Sequence, residues 1–391
     1  MRESAVPSGL TERATVLGGL ANARYVADTQ VPELTREAYA ALDRERAQLG
    51  AAAAGRLPPA NLLAISGGGD KGSFGAGLLI GWTERGDRPE FKTVSGVSTG
   101  ALIAPFAFLG PDYDDVLRHV YTEVDQSAIF ESRFILAAIF SDALKDTTPL
   151  SQLISHYVDD QVLTAIANEY RKGRLLLIGT ADIDAQRPVI WNLGAIAVSG
   201  RPGAFDLLRK ILLASAAIPV AFPPVLIDVE VDGKPYQEMH VDGGAIAQTF
   251  LYPTTLTAGV DLRRGPLARE RHAYVIRNGR LDPEWASTDR RLFSIASRAV
   301  ATMIHYSGQN DVYRLQTMTA RDGVSFNLAY IGRDFSAEHT ADFVPAYMRA
   351  LFEYGRAQIK HGTAWKKSSP FLIPDGPQEL SRLPNGTSEP G

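Results

Sequence analysis

The chain of 391 residues contains no cysteine. Disulfides, thiolate metal ligands and a cysteine nucleophile are therefore excluded. Its seven histidines stand at 119, 156, 240, 272, 305, 339 and 361, with no His-x-His or His-x-x-x-His pair. A histidine-built metal site is not expected from that scatter, and no oxygen-rich calcium loop is visible. No run of 18 uncharged apolar residues occurs, so no transmembrane helix is expected. The opening Met1-Arg2-Glu3-Ser4 leads into no apolar stretch, so no signal peptide is expected either. Excess positive charge is also missing: 40 Lys and Arg against 44 Asp and Glu leave −4. That balance argues against a nucleic-acid partner, which needs a basic face. Nothing calls for a cofactor or metal, and these absences leave the compartment and protein partners open.

What is present is enough apolar material, 45% of residues, for a sizeable core. Residues 1–60 read as an irregular N-terminal extension with one helix over 33–54, closed by Gly55. Pro58-Pro59 marks entry to a main domain over 61–373. From Pro374 the chain is rich in Pro, Gly, Ser and Asn, and 374–391 reads as a disordered tail. Short apolar runs at Leu62–Ile65 and Phe91–Val94 look like strands buried on both faces. Each leads through a glycine-containing turn into a helix-forming stretch. That order predicts an α/β fold with parallel strands and helical crossovers. Further strands are expected at 174–181, 189–193, 225–229, 239–241, 273–277 and 324–331. Helices are expected near 112–125, 150–171, 204–215, 285–320 and 342–361.

Two motifs carry chemistry. Gly67-Gly68-Gly69-Asp70-Lys71-Gly72 follows the first strand and opens a helix. Adjacent glycines can turn several N–H groups toward one point, and the helix N-terminus adds positive potential. Alone, this loop fits an oxyanion hole, a nucleotide phosphate site through Gly67, Gly69 and Gly72, or a plain turn. Gly96-Val97-Ser98-Thr99-Gly100 lies between the second strand and an apolar helix. It has the form of a nucleophile elbow, in which the residues flanking the serine must lack side chains. Ser98 is the expected nucleophile, and the Thr99 N–H is placed to assist an oxyanion.

A serine needs a base. One arrangement is a Ser98–Asp242–His272 triad of α/β-hydrolase type. Against it, His272 precedes its expected strand rather than following one. The other arrangement uses Asp242 alone, in Val241-Asp242-Gly243-Gly244, with the glycines allowing close backbone approach to the serine turn. His240 shares a strand face with Asp242, which makes it either a site neighbour or a packed residue.

Taken together, Gly67–Gly72, the Ser98 elbow, Ala214-Ser215-Ala216-Ala217-Ile218-Pro219 with Phe222-Pro223-Pro224, and Asp242-Gly243-Gly244 resemble, in that order, the motifs of patatin-like phospholipases. The resemblance spans about residues 61–250. It implies a three-layer α/β/α domain with a mostly parallel central sheet, completed by the helices and strands out to 373. It implies a lipid acyl hydrolase without cofactor, with Ser98 as nucleophile and Asp242 as base. It further implies an oxyanion hole from Gly67, Gly68 and Gly69, and a substrate-binding cation at Lys71. The 214–224 segment is expected to shape the acyl pocket wall.

A lipid or phospholipid substrate brings peripheral membrane contact into view. The segment Phe130 to Phe140 carries aromatics at 130, 134 and 140 around aliphatics, and reads as an interfacial lid or as buried core. Readings outside this family are the carboxylesterase triad with His272 and a nucleotide-binding module built on the Gly67–Gly72 loop.

Overall fold

The computed structural model describes residues 2–50, 57–122, 148–219, 222–253, 257 and 268–370. The lid-or-core segment 130–140 and the tail 374–391 lie outside these residues, as does Gly55.

Among the described residues, nine strands form one sheet. They are β1 (Arg24–Val26), β2 (Ala60–Ile65), β3 (Phe91–Gly96), β4 (Leu175–Asp182), β5 (Arg187–Asn192), β6 (Val225–Val231), β7 (Lys234–Asp242), β8 (Arg271–Arg277) and β9 (Ser325–Tyr330). The helices are α1 (Val31–Leu49), α2 (Gly72–Arg85), α3 (Thr99–Leu109), α4 (Asp114–Thr122), α5 (Thr148–Tyr157), α6 (Asp160–Arg171), α7 (Leu193–Val198), α8 (Ala204–Ser215), α9 (Leu292–Asp322) and α10 (Pro345–Lys360). The strand order is β1-β5-β4-β3-β2-β8-β9. Strands β4-β3-β2-β8-β9 are parallel, while β1, β5 and β7 join antiparallel. The parallel strands are apolar runs because helices cover both faces. Residue parity shows the layers. Leu63 and Ile65 of β2 pack with Phe74, Leu78, Ile103 and Phe352 of α2, α3 and α10. Ala64, pointing the other way, packs with Val312, Leu315 and Met318 of α9. Farther along that second face, Leu175 and Leu177 meet Leu34 and Ala41 of α1.

Several elements differ from the expectations. The helix expected over 33–54 ends at Leu49 on Gly50, whose φ of 54° stops it. The N-terminal stretch supplies β1, paired to β5 through Tyr25 and Ile190. The strands expected at 225–229 and 239–241 are longer and form a hairpin. Its Asp232-Gly233 turn has φ of 52° and 76°, the backbone that an Asp-Gly pair favours in a two-residue loop. The helix expected over 150–171 breaks in two, and Asp159 caps the second half through the Val162 N–H at 2.9 Å.

The arrangement of β3, β4 and β7 positions the site. Gly96, the last residue of β3, pairs with Ile178 of β4. Beyond that point β3 leaves the sheet and β7 takes the vacated edge of β4, with Asp242 opposite Thr180. The end of β7 therefore meets the chain where it turns into the Ser98 elbow.

Candidate active site

Ser98 sits between β3 and α3 with φ 57° and ψ −128°. A non-glycine residue holds such a backbone only when its surroundings over-determine it. Here they do. The Ser98 N–H donates to Ser215 Oγ at 3.1 Å, and Ser215 Oγ donates to the Gly179 carbonyl at 2.7 Å. A Cβ on Gly96 would stand 2.4 Å from the Gly100 carbonyl oxygen, and one on Gly100 2.2 Å from that of Ile65. The glycines flanking the serine are thus a steric requirement of the turn.

Asp242 closes β7 and is buried. Its N–H donates to the Ala217 carbonyl at 2.9 Å, and its Oδ1 accepts the Gly244 N–H at 2.7 Å. Burial pushes the carboxyl up to about 6, against the opposing pull of hydrogen bonds from the Ser98 hydroxyl and the Gly244 N–H. The close approach made by Gly243 is to β4 rather than to the serine turn. A Cβ there would lie 2.5 Å from the Gly179 carbonyl oxygen.

The glycine loop passes directly over the serine, and a Cβ on Gly67 would lie 3.0 Å from Ser98 Cβ. The three loop glycines are not equivalent. The Gly67 N–H already donates to the Gln248 carbonyl at 3.1 Å. Among the described residues, the N–H groups of Gly68 and Gly69 meet no acceptor. Gly68 is pressed against the Asn278 backbone, where a Cβ would come within 2.1 Å of its oxygen.

Three residues outside the sequence motifs hold this loop. Asn278, just after β8, accepts the Gly75 N–H at 3.0 Å and donates to the Ser66 carbonyl at 2.9 Å. It thereby caps the start of α2 and ties it to the loop. Gln248 accepts from Gly67 and donates through Nε2 to the Gly244 carbonyl at 2.9 Å, joining the two glycine motifs. Buried Arg277 reaches Ser66 Oγ at 3.3 Å and the Gly67 carbonyl at 3.4 Å. That carbonyl shares its peptide with the Gly68 N–H, so the cation polarises that donor. Burial pushes the Arg277 guanidinium down to about 10, while Asp311 and Glu284 pull it up. Ser215, within the 214–224 motif, acts on the serine turn instead, where its hydroxyl fixes the nucleophile's backbone.

The other expected residues are engaged elsewhere. Lys71 Nζ is paired with Glu284 at 2.7 and 2.9 Å. The Thr99 hydroxyl bonds the Tyr121 hydroxyl at 2.8 Å. His240 is fully buried, its ring bonded to Thr180 Oγ1 at 2.9 Å and Glu238 Oε2 at 3.1 Å. Glu238 in turn takes two 2.7 Å bonds from Arg24 of β1. Burial pushes the Glu238 carboxyl up, but Arg24 and His240 outweigh it and hold it below the ordinary range. His272 is the second residue of β8, in register with Asn61, which pairs with Phe91 at the start of β3. Ile276 marks the other end of β8, level through Ile65 with Gly96. Four residues, roughly 13 Å of strand, thus separate His272 from the end of the sheet that carries Ser98.

Asp70, His339 and Asp342 are a group of described residues whose possible metal-ligand atoms lie within 4.8 Å of one another. Asp70 Oδ2 already accepts from His339 Nε2 at 2.8 Å and the Phe343 N–H at 3.0 Å. In this structure the trio is a hydrogen-bonded latch between the glycine loop and the segment before α10. No helix among the described residues is long and apolar enough to cross a membrane.

Comparison with known proteins matches the stretch of chain that holds the motifs. The family model for patatin-like phospholipase matches residues 63–253. An uncharacterised protein of Acanthamoeba polyphaga mimivirus is 24% identical over 197 residues, which is 50% of this chain and 60% of that protein. The chain thus spans less than two thirds of that relative's length. The structure of VipD from Legionella pneumophila overlaps 78% of this chain and 67% of its own, at 11% identity and a TM-score of 0.34. That score is too low to bear on the fold. The chain therefore carries, over residues 63–253, a domain of the patatin-like phospholipase family.

Proposed function

We propose that the protein is a lipid acyl hydrolase that cleaves carboxylic ester bonds of phospholipids or related lipids with Ser98 as nucleophile and Asp242 as base. The observation that carries the reading is the buried Asp242 carboxylate. Burial pushes it up to about 6 against the pull of the neighbouring Ser98 hydroxyl, close to the range where a general base works at neutral pH.

In the first step the Ser98 oxygen attacks the ester carbonyl and its proton passes to Asp242. The carbonyl oxygen becomes an oxyanion facing the N–H groups of Gly68 and Gly69. Losing one such donor typically costs about 2.7–4 kcal/mol of barrier. Collapse breaks the ester C–O bond, and Asp242 returns the proton to the departing alcohol or lysolipid. Water then attacks the acyl-serine, giving its proton to Asp242, and the fatty acid leaves as Ser98 is re-protonated. Ser215 supports each step by holding the strained serine backbone.

The test combines labelling and product analysis. A serine-directed fluorophosphonate should label the native protein and not Ser98→Ala. A mixed lipid extract should release fatty acid with the native protein and not with Ser98→Ala or Asp242→Asn, while His272→Ala stays active. Loss of hydrolysis in His272→Ala with retention in Asp242→Asn would overturn the dyad.

A further inference from the structure

α9 has an unusual composition for a surface helix. Between Leu292 and Asn310 its only charged side chain is Arg298, and none is acidic. Yet none of the described side chains from Leu292 to Ser307 is buried. Leu292 is 87% and Met303 71% exposed, with Ile295, Tyr306 and Tyr313 about half exposed. Surface helices of soluble domains normally carry charge on their solvated faces.

The exposed apolar residues are also ordered. Leu292, Ile295, Ala299, Met303, Tyr306 and Tyr313 fall within an arc of roughly 80° at 100° per residue. Trp285, in the approach to the helix, is 89% exposed. The other three tryptophans, at 82, 191 and 365, are buried or half-buried. Arg290 and Arg291 stand exposed at the helix entry, with Asp289 the nearest exposed acid.

This face adjoins the catalytic residues. Glu284, next to Trp285, holds Lys71 of the glycine loop. Farther along α9, Gly308 abuts the Arg277 guanidinium, with a Cβ there 2.6 Å from its Cζ. Asp311 Oδ2 accepts the Gln248 N–H at 2.6 Å. One end of the helix is fastened to the site while its apolar N-terminal half stands out from the fold.

We propose that Trp285 and the Leu292–Tyr306 face of α9 form the surface that docks on an anionic lipid interface. Apolar and aromatic side chains enter the headgroup boundary, and the arginines at 290, 291 and 298 meet the negative lipids. The choice of a lipid surface over a second copy rests on the cluster of like charges beside the apolar stripe. It rests also on the lipid-hydrolase reading above, since substrate must arrive at this end of the sheet.

The experiment measures binding separately from catalysis. Full-length protein carrying Ser98→Ala is co-sedimented with vesicles of phosphatidylcholine alone or mixed with phosphatidylglycerol. Binding should favour the anionic vesicles and weaken with salt. Ile295→Glu with Met303→Glu should weaken it at least about tenfold, or about 1.4 kcal/mol. Arg290→Glu with Arg291→Glu should remove the preference for anionic lipid. Brominated lipids should quench Trp285, and Trp285→Phe should lose most of that quenching. In the Ser98 background, hydrolysis of a soluble short-chain ester by Ile295→Glu/Met303→Glu should match the native protein. Unchanged vesicle binding by that variant would overturn the proposal. So would a fall in its melting temperature, which would place the face inside the fold, or a dimer in light scattering that the same substitutions dissociate. If the native protein binds vesicles but hydrolyses no ester, docking stands and the catalytic reading fails.

Discussion

Replacing Asp242 with asparagine should make the protein inactive and more stable. The carboxyl is raised from 3.8 to about 6, with burial as the leading cause. A folded-state value above the unfolded one means the native state binds the extra proton between those limits. Stability from this group is therefore full below about pH 4 and declines as pH rises through 6. At pH 8 the ionised carboxylate costs about 3 kcal/mol relative to a neutral group. Asparagine keeps the shape. Its Oδ1 can accept the Gly244 N–H, now at 2.7 Å from Asp242 Oδ1, and its Nδ2 can donate to Ser98 Oγ. Urea unfolding of Ser98-competent native protein and Asp242→Asn should thus differ by about 1–3 kcal/mol at pH 8. The difference should shrink toward zero near pH 4–5, and the native kcat/KM should rise with pH through about 6. A variant less stable than the native protein at pH 8, or a difference that does not change with pH, would refute the reasoning. It would mean that Asp242 is a stabilising partner rather than a buried, costly base.

Ser215→Ala removes both the bond to the Ser98 N–H and the donor to the buried Gly179 carbonyl. It should cost about 1–3 kcal/mol of stability and lower kcat on the order of tenfold with KM little changed; an unchanged kcat would show that the elbow holds itself. Gly100→Ala drives a Cβ to 2.2 Å from the Ile65 oxygen and should abolish activity and solubility, whereas Gly9→Ala, which meets nothing within 4 Å, should be silent in expression and melting. The Asp70 hydrogen bond raises the His339 imidazole above its ordinary value. Its contribution is full below about pH 6.5 and is lost as pH climbs through the raised value; the melting-temperature gap between native protein and His339→Ala, worth about 1 kcal/mol at most for this part-exposed pair, should therefore close in alkaline buffer.

Much of the fold was legible because its signals are local. The runs at β2 and β3 are short, apolar and followed by glycine turns, which is how parallel strands under helices read. The helix at 204–215 showed its apolar spacing and was read at its true ends. β1 was not legible, since three residues carry no periodicity. The break between α5 and α6 lay in a cap at Asp159 inside one continuous apolar pattern. The antiparallel entry of β7 beside β4 leaves no mark in either strand's composition.

The same division runs through the site. The sequence by itself determined where a strained serine turn can form, because both glycines that flank the serine stand within the same five residues, and the demand on Gly96 arises inside that turn. It also determined that no cysteine chemistry is available. Only the tertiary structure decided which groups meet that serine. β7 fills the edge that β3 vacates, and so Asp242 rather than His272 lies beside it. The Gly67 N–H is spent on Gln248, which stands far away in the chain, while Gly68 and Gly69 keep theirs. Ser215, Asn278 and Arg277 act through hydrogen bonds spanning 117 to 212 positions. Such contacts depend on how the layers stack, and no local pattern encodes them.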